Sequence, residues 1–118
     1  MNGAMLGGES EDRALRYLQK QGLNLIARNW RCRAGELDLV MRHGDTVVVA
    51  EVRGRARSDY GTAAESVDPR KQAKIVRATQ LFLIQHPDLA ELPLRFDVVA
   101  LTGNIAIEWL QSAFEVEG

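Results

Sequence analysis

Asp38, Glu51 and Arg53 are residues whose types and spacing suit joint chemistry in this chain of 118 residues. Asp38 lies in GELDLVMRH, where Leu37, Leu39 and Met41 alternate with Glu36, Asp38, Val40 and Arg42, the period of a two-faced strand. Glu51 and Arg53 end a second, β-branched run, Val47 to Arg53, that reads as a strand covered on both sides. Between the runs, Gly44-Asp45 is a pair suited to a two-residue hairpin turn. That turn sets a register in which His43 faces Thr46, Asp38 faces Glu51 and Glu36 faces Arg53. Glu36, Asp38, Glu51 and Arg53 then share one face, and Leu37, Leu39, Ala50 and Val52 the other. Directly opposed residues sit roughly 5 Å apart at Cβ, where like charges repel. Two carboxylates converging there call for a counter-ion, a shared proton or a metal, and a hard divalent cation suits oxygen ligands. The bland alternative is a cross-strand salt network, with Glu36 on Arg53 and Asp38 on a nearby arginine.

A third acid comes from a helix. Ala14, Leu15 and Leu18 form an apolar stripe, and Glu11 falls on it, while Glu9 and Asp12 point elsewhere. The alternative for Glu11 is an exposed place in a fraying turn. Acids on adjacent strands plus a cation in E-x-(K/R) spacing suit metal-dependent phosphodiester cleavage. In that chemistry Asp38, Glu51 and Glu11 would ligate Mg²⁺ or Mn²⁺, and Arg53 would stabilise transition-state charge.

The elements that must position these residues follow in order. Residues 1–8 read as a flexible segment, 9–114 as one domain and 115–118 as a polar tail. The first helix ends before Gly22, Leu23 to Arg33 is a strand, and the hairpin comes next. Trp30 reads as sheet packing, not as a stacking platform for bases. Gly54 to Ser66 lacks periodicity and reads as a loop. Asp68-Pro69 starts a helix running to about Gln85, with Asp68 as N-cap and Val76, Thr79, Phe82 and Leu83 as its apolar side. Leu94 to Leu101 and Ile105 to Leu110 are two more strands joined at Gly103-Asn104. The order helix, three strands, helix, two strands implies an α/β fold with a mixed central sheet flanked by helices.

The formal net charge is only −1, yet its distribution is uneven. From Arg28 to Arg77 there are eleven basic residues against seven acidic; the flanks hold four basic and nine acidic. Such asymmetry can focus a phosphate backbone on one region. The candidate contacts to nucleic acid are Arg28, Arg31, Arg55, Arg57, Arg70, Lys71 and Lys74. Arg70, Lys74 and Arg77 lie at i, i+4 and i+7 with Lys71 beside them, a pattern that equally describes a solvated helix face. A single cysteine, Cys32, excludes an internal disulfide and a thiol-rich zinc site. No apolar run approaches a membrane span, so a cytoplasmic location is expected.

RNWRCRAGELDLV, AEVRGR, YGTAAESVDPRK, RFDVVAL and the final SAF together resemble the YraN-like family of small bacterial proteins. The resemblance runs from about Glu11 to Phe114. That family is similar to Holliday-junction resolvases within the restriction-endonuclease-like, PD-(D/E)xK superfamily. The resemblance implies a restriction-endonuclease-like α-β-β-β-α-β-β core and a nuclease acting on DNA, branched junctions included. Glu11, Asp38 and Glu51 match the acidic motif, and Arg53 takes the place often held by lysine. Ser10 stands where many relatives have glycine. Arginine stays protonated and cannot serve as a base, so slow cleavage is expected, or cleavage by metal hydroxide without a side-chain base; the alternative function is a nucleic-acid-binding protein that keeps the fold with weak or no turnover. Resolvase-like relatives work as dimers, so a homodimer is expected by analogy.

Overall fold

The computed structural model describes residues 3–55, 67–103 and 106–115. A helix, α1 (Gly3–Lys20), precedes three strands, β1 (Asn24–Cys32), β2 (Gly35–His43) and β3 (Thr46–Arg55). Helix α2 (Pro69–Gln85) and one short turn of helix, α3 (Pro87–Ala90), lead to β4 (Leu94–Thr102) and β5 (Ala106–Phe114). The five strands form one sheet in the order β1-β2-β3-β4-β5. β3 and β4 are parallel and the other neighbours antiparallel. This is the mixed, helix-flanked α/β sheet that the element order implies, with α2 inside the crossover that a parallel pair requires.

The sheet separates two cores. On one side Ile75, Ala78 and Phe82 of α2 pack on Val40, Val49, Phe96 and Val98. On the other, Ala14 and Leu18 of α1 pack on Leu39, Met41, Val48, Ala50 and Val99. β3 and β4 are therefore covered on both faces, which explains their nearly continuous apolar runs. Trp30 packs edge-on against Phe82, with ring centroids 5.2 Å apart, and is core.

Local chemistry accounts for the element ends. Asp68 caps α2 by accepting from the Lys71 amide at 2.8 Å, and Pro69 opens the helix. Ile75 and Ala78 are buried beside Thr79 and Phe82, whereas Val76 and Leu83 are only partly covered, so the apolar face is rotated slightly from the expected one. α1 extends back to Gly3, into the stretch 1–8 that its small residues mark as flexible. β5 continues to Phe114, beyond the expected Leu110, because Phe114 stacks on Phe96 at 5.0 Å. α3 follows Pro87 and was not expected from the sequence.

Candidate active site

The β2–β3 hairpin turns where expected. Gly44 takes φ 62, a left-handed conformation that glycine adopts without strain, and His43↔Thr46, Met41↔Val48 and Leu39↔Ala50 pair in the expected register. The ladder then stops. β2 beyond Leu39 stays paired with β1, through Trp30↔Leu37 and Arg31↔Glu36, and it parts from β3. Asp38 fills the gap: its Oδ2 accepts from the Val52 amide at 2.9 Å, where a ladder bond would otherwise lie. The parting strands therefore leave an opening lined by carboxylates.

The same divergence corrects two expectations. Glu36 is bound to Arg31 at 3.1 Å on an exposed edge, not to Arg53. Leu37 packs in the α2-side core while Leu39 packs on the α1 side, so these two do not share a face. Asn29, between the β1 residues paired to Leu37 and Leu39, has φ 53. This left-handed residue, a conformation asparagine tolerates, accompanies the break in alternation.

Asp38 and Glu51 are brought together. The Glu51 side chain is 5% exposed, and its Oε1 lies 3.0 Å from Lys71 Nζ. Burial raises the Asp38 carboxyl, and the Glu51 charge raises it further, to about 7. Asp38 therefore keeps its proton more readily than an ordinary aspartate, which eases that repulsion. Glu11 approaches from α1. Its carboxyl is raised by burial and then by the Asp38 charge, and eased by hydrogen bonds from Asn29 and Arg28. Arg28 ties Glu11 at 3.5 Å and Asp12 at 2.6 Å. Asp12, although half exposed, is thus an ion-pair partner of Arg28, which its place off the apolar stripe did not reveal. Arg28, expected to face nucleic acid, is engaged within the protein.

Two adjoining clefts meet at the acidic pair. One, of about 330 Å³, is bordered by Asp38, Glu51, Arg70, Lys71 and Lys74. The other, of about 390 Å³, is bordered by Ser10, Glu11, Asp38, Glu51, Arg53 and Lys71. Arg53 Nε is buried with no hydrogen-bond partner among the described residues. A buried guanidinium nitrogen without an acceptor leaves Arg53 short of a counter-charge beside the acidic pair.

The donor set fits a hard divalent cation: two carboxylates, one deeply buried, repel each other with a single lysine, on Glu51, to offset them. Among the described residues no three acidic, histidine or cysteine side chains are gathered as a ready-made metal cage. Lys71 and Arg28 hold two of the three acids instead. The structure thus brings Asp38, Glu51, Arg53, Lys71 and Glu11 around one opening and sets Arg70 and Lys74 on its rim. Arg31 is paired at the sheet edge. Arg57 and the side chain of Arg55 lie outside the described residues.

Lys71 at Glu51 is a contact that sequence spacing did not place. Its only signal was a position in the first turn of a helix carried by the β3–β4 crossover. A second cluster was only half visible. Asp97, fully buried, accepts from Arg95 Nε at 3.1 and 3.2 Å, Trp109 Nε1 at 2.9 Å and the Ser112 amide at 3.0 Å. RFDVV points to a pairing with Arg95 or a loop amide; the Arg95 pairing occurs, whereas the amide comes from Ser112 within β5 and not from a loop. The indole contact depends on β5 packing beside β4.

The fold and site define a small mixed-sheet α/β protein with a buried acidic pair in a basic-rimmed opening. The model of Uncharacterised protein family UPF0102 matches residues 10–101. A UPF0102 protein of Pseudomonas savastanoi pv. phaseolicola is 58% identical over 113 residues, covering 92% of each chain. UPF0102 proteins of Pseudomonas putida strain GB-1 and Ectopseudomonas mendocina are each 52% identical, over 92% of both chains and over 93% and 94% respectively. The chain belongs to the UPF0102 family. No helix among its described residues is long and apolar enough to cross a membrane.

Proposed function

We propose that this protein is a metal-dependent DNA endonuclease, of the YraN-like, PD-(D/E)xK kind, acting in the cytoplasm on duplex or branched DNA. The observation that carries this reading is the Asp38–Glu51 pair, a half-buried carboxyl beside a buried one, with Arg53 and Lys71 on the same opening. Asp38 and Glu51 would hold Mg²⁺ or Mn²⁺, with Glu11 joining them on release from Arg28. A cation bound there supplies Lewis acidity, activating water and neutralising phosphate charge. Arg53 remains protonated and directs its free Nε to a phosphate oxygen, stabilising the charge that builds at the transition state. It is not a base, so turnover is slow. Arg70 and Lys74, exposed beside the opening, grip the flanking backbone. A homodimer would match the two-fold symmetry of a four-way junction.

A second reading keeps the fold and the basic rim but not turnover; arginine at position 53 and the lysine seated on Glu51 favour it. A cleavage assay on linear and four-way-junction DNA with Mg²⁺ or Mn²⁺ separates the two. The nuclease reading expects metal-dependent cutting that Asp38→Asn and Glu51→Gln abolish while DNA binding persists. It expects faster cutting in Arg53→Lys. Binding without any cutting, in wild type and Arg53→Lys alike, leaves the binding module. Binding indifferent to ionic strength would sink both, because phosphate contacts release counter-ions.

A further inference from the structure

We propose that Lys71 is an internal stand-in for the metal, so that the divalent cation and the DNA backbone bind this site cooperatively. The proposal rests on the nuclease reading above and adds to it a coupling between its two ligands. Glu51 is almost wholly buried and cannot leave; Lys71 is 41% exposed on its side chain and can. The Lys71 backbone is fixed by the Asp68 cap, so only its flexible side chain has to move. Its ammonium sits 3.0 Å from Glu51 Oε1 and borders both clefts.

A cation arriving between Asp38 and Glu51 meets that ammonium as a like charge and must displace it from the carboxylate. Displacement alone costs the ion pair. A phosphodiester lying along the rim with Arg70 and Lys74 offers Lys71 a new anionic partner, and then the exchange is close to even. Among the described residues neither Arg70 nor Lys74 is paired with an acid, so the rim is already set to attract that backbone. Because coupling between two ligands is reciprocal, DNA tightens metal binding and metal tightens DNA binding by the same factor. An enzyme built this way holds little metal at its acids until a strand is in place.

The test is Mn²⁺ titration of the intact protein, by calorimetry or by the loss of the free-ion electron paramagnetic resonance signal. Each titration is run with and without a short phosphorothioate DNA duplex that resists cutting. Wild type should bind Mn²⁺ weakly alone and about tenfold more tightly with the duplex, within the ordinary range of coupling. Lys71→Met should bind Mn²⁺ about as tightly alone as wild type does with the duplex, and the duplex should add little. Lys71→Arg should restore weak binding and coupling, and Lys20→Met, at an exposed lysine that ends α1 and takes no part in the site, should behave as wild type. If Lys71→Met leaves Mn²⁺ affinity unchanged, or the duplex fails to tighten wild type, while Asp38→Asn abolishes Mn²⁺ binding, the stand-in role is wrong and the metal site survives. If Mn²⁺ binds none of the variants, or binds Asp38→Asn as it does wild type, the metal site itself is wrong and this coupling falls with it.

Discussion

Two acidic centres, each with a buried carboxylate, Asp97 in one and Glu51 in the other, sit on one sheet and have opposite characters. Asp97 on β4 is enclosed by an arginine, an indole and a backbone amide, and the bend at Ser112 (φ 52) in β5 brings that amide to it. Arg95 also lies 3.1 Å from His43 Nδ1 and over the Trp109 ring, so the cluster ties β2, β4 and β5 together. Asp38 and Glu51 have one amide and one lysine between them, and open clefts on either side. A charge whose donors are all protein groups is architecture. A charge pair left short of donors beside solvent is a place for a ligand. Burial alone would rank the two alike; donor count tells them apart.

If Asp97 is architecture, Asp97→Ala should cost about 3–5 kcal/mol, because it strands the half-buried Arg95 guanidinium. Urea unfolding measures this, and a loss under 1 kcal/mol would erase the contrast. Asp38→Asn should do the reverse, leaving the fold intact while weakening Mn²⁺ binding and Mn²⁺-dependent cleavage about 100-fold or more, as loss of a charged ligand does. Asparagine can still accept from the Val52 amide, so stability should not suffer.

The next difference is one of pH. In the folded protein Asp38 holds its proton up to about 7, whereas in the unfolded chain an aspartate releases it near 3.9. Between those values the folded state binds more protons than the unfolded one. The contribution of Asp38 to metal-free stability should therefore be full below that window and fall as pH rises through it, levelling off above about 7, so wild type should lose stability relative to Asp38→Asn over that range. Glu11, raised in the same direction, adds to the slope. Denaturant midpoints across this range, with Asp38→Asn flattening the fall, are the check; a rise relative to that variant would contradict the repelling pair. The smallest effect belongs to the exposed Arg31–Glu36 pair. Arg31→Ala should change stability by no more than about 0.5 kcal/mol, and a larger loss would mean that donor number at the sheet edge matters more than supposed.

Much of this arrangement was readable residue by residue. Gly44 and the alternation around it specify the hairpin and its register as far as Leu39, because a two-residue turn leaves the strands no freedom to slip. Asp68-Pro69 marks the start of α2 through capping that is local to the chain. Less was readable where a strand has two suitors. Before Leu39, from Gly35 to Asp38, β2 follows β1 and leaves β3, and nothing within the hairpin says which neighbour prevails. The Glu36–Arg53 pairing and the shared face of Leu37 and Leu39 were lost for that reason. The Asp12 ion pair was hidden because its partner, Arg28, sits on another element.

Local pattern alone determined the order of elements, the turn that folds one acid toward the other, and the helix that carries Glu11. Each of these depends on neighbours within a few residues, where propensity, capping and period are strong. Tertiary structure alone decided that β2 and β3 part at Asp38, that Lys71 crosses from α2 to Glu51, and that Asp97 is sealed by β5. Those contacts join residues far apart in the chain. Their partners are chosen by how the two cores pack against the sheet, which no short stretch encodes.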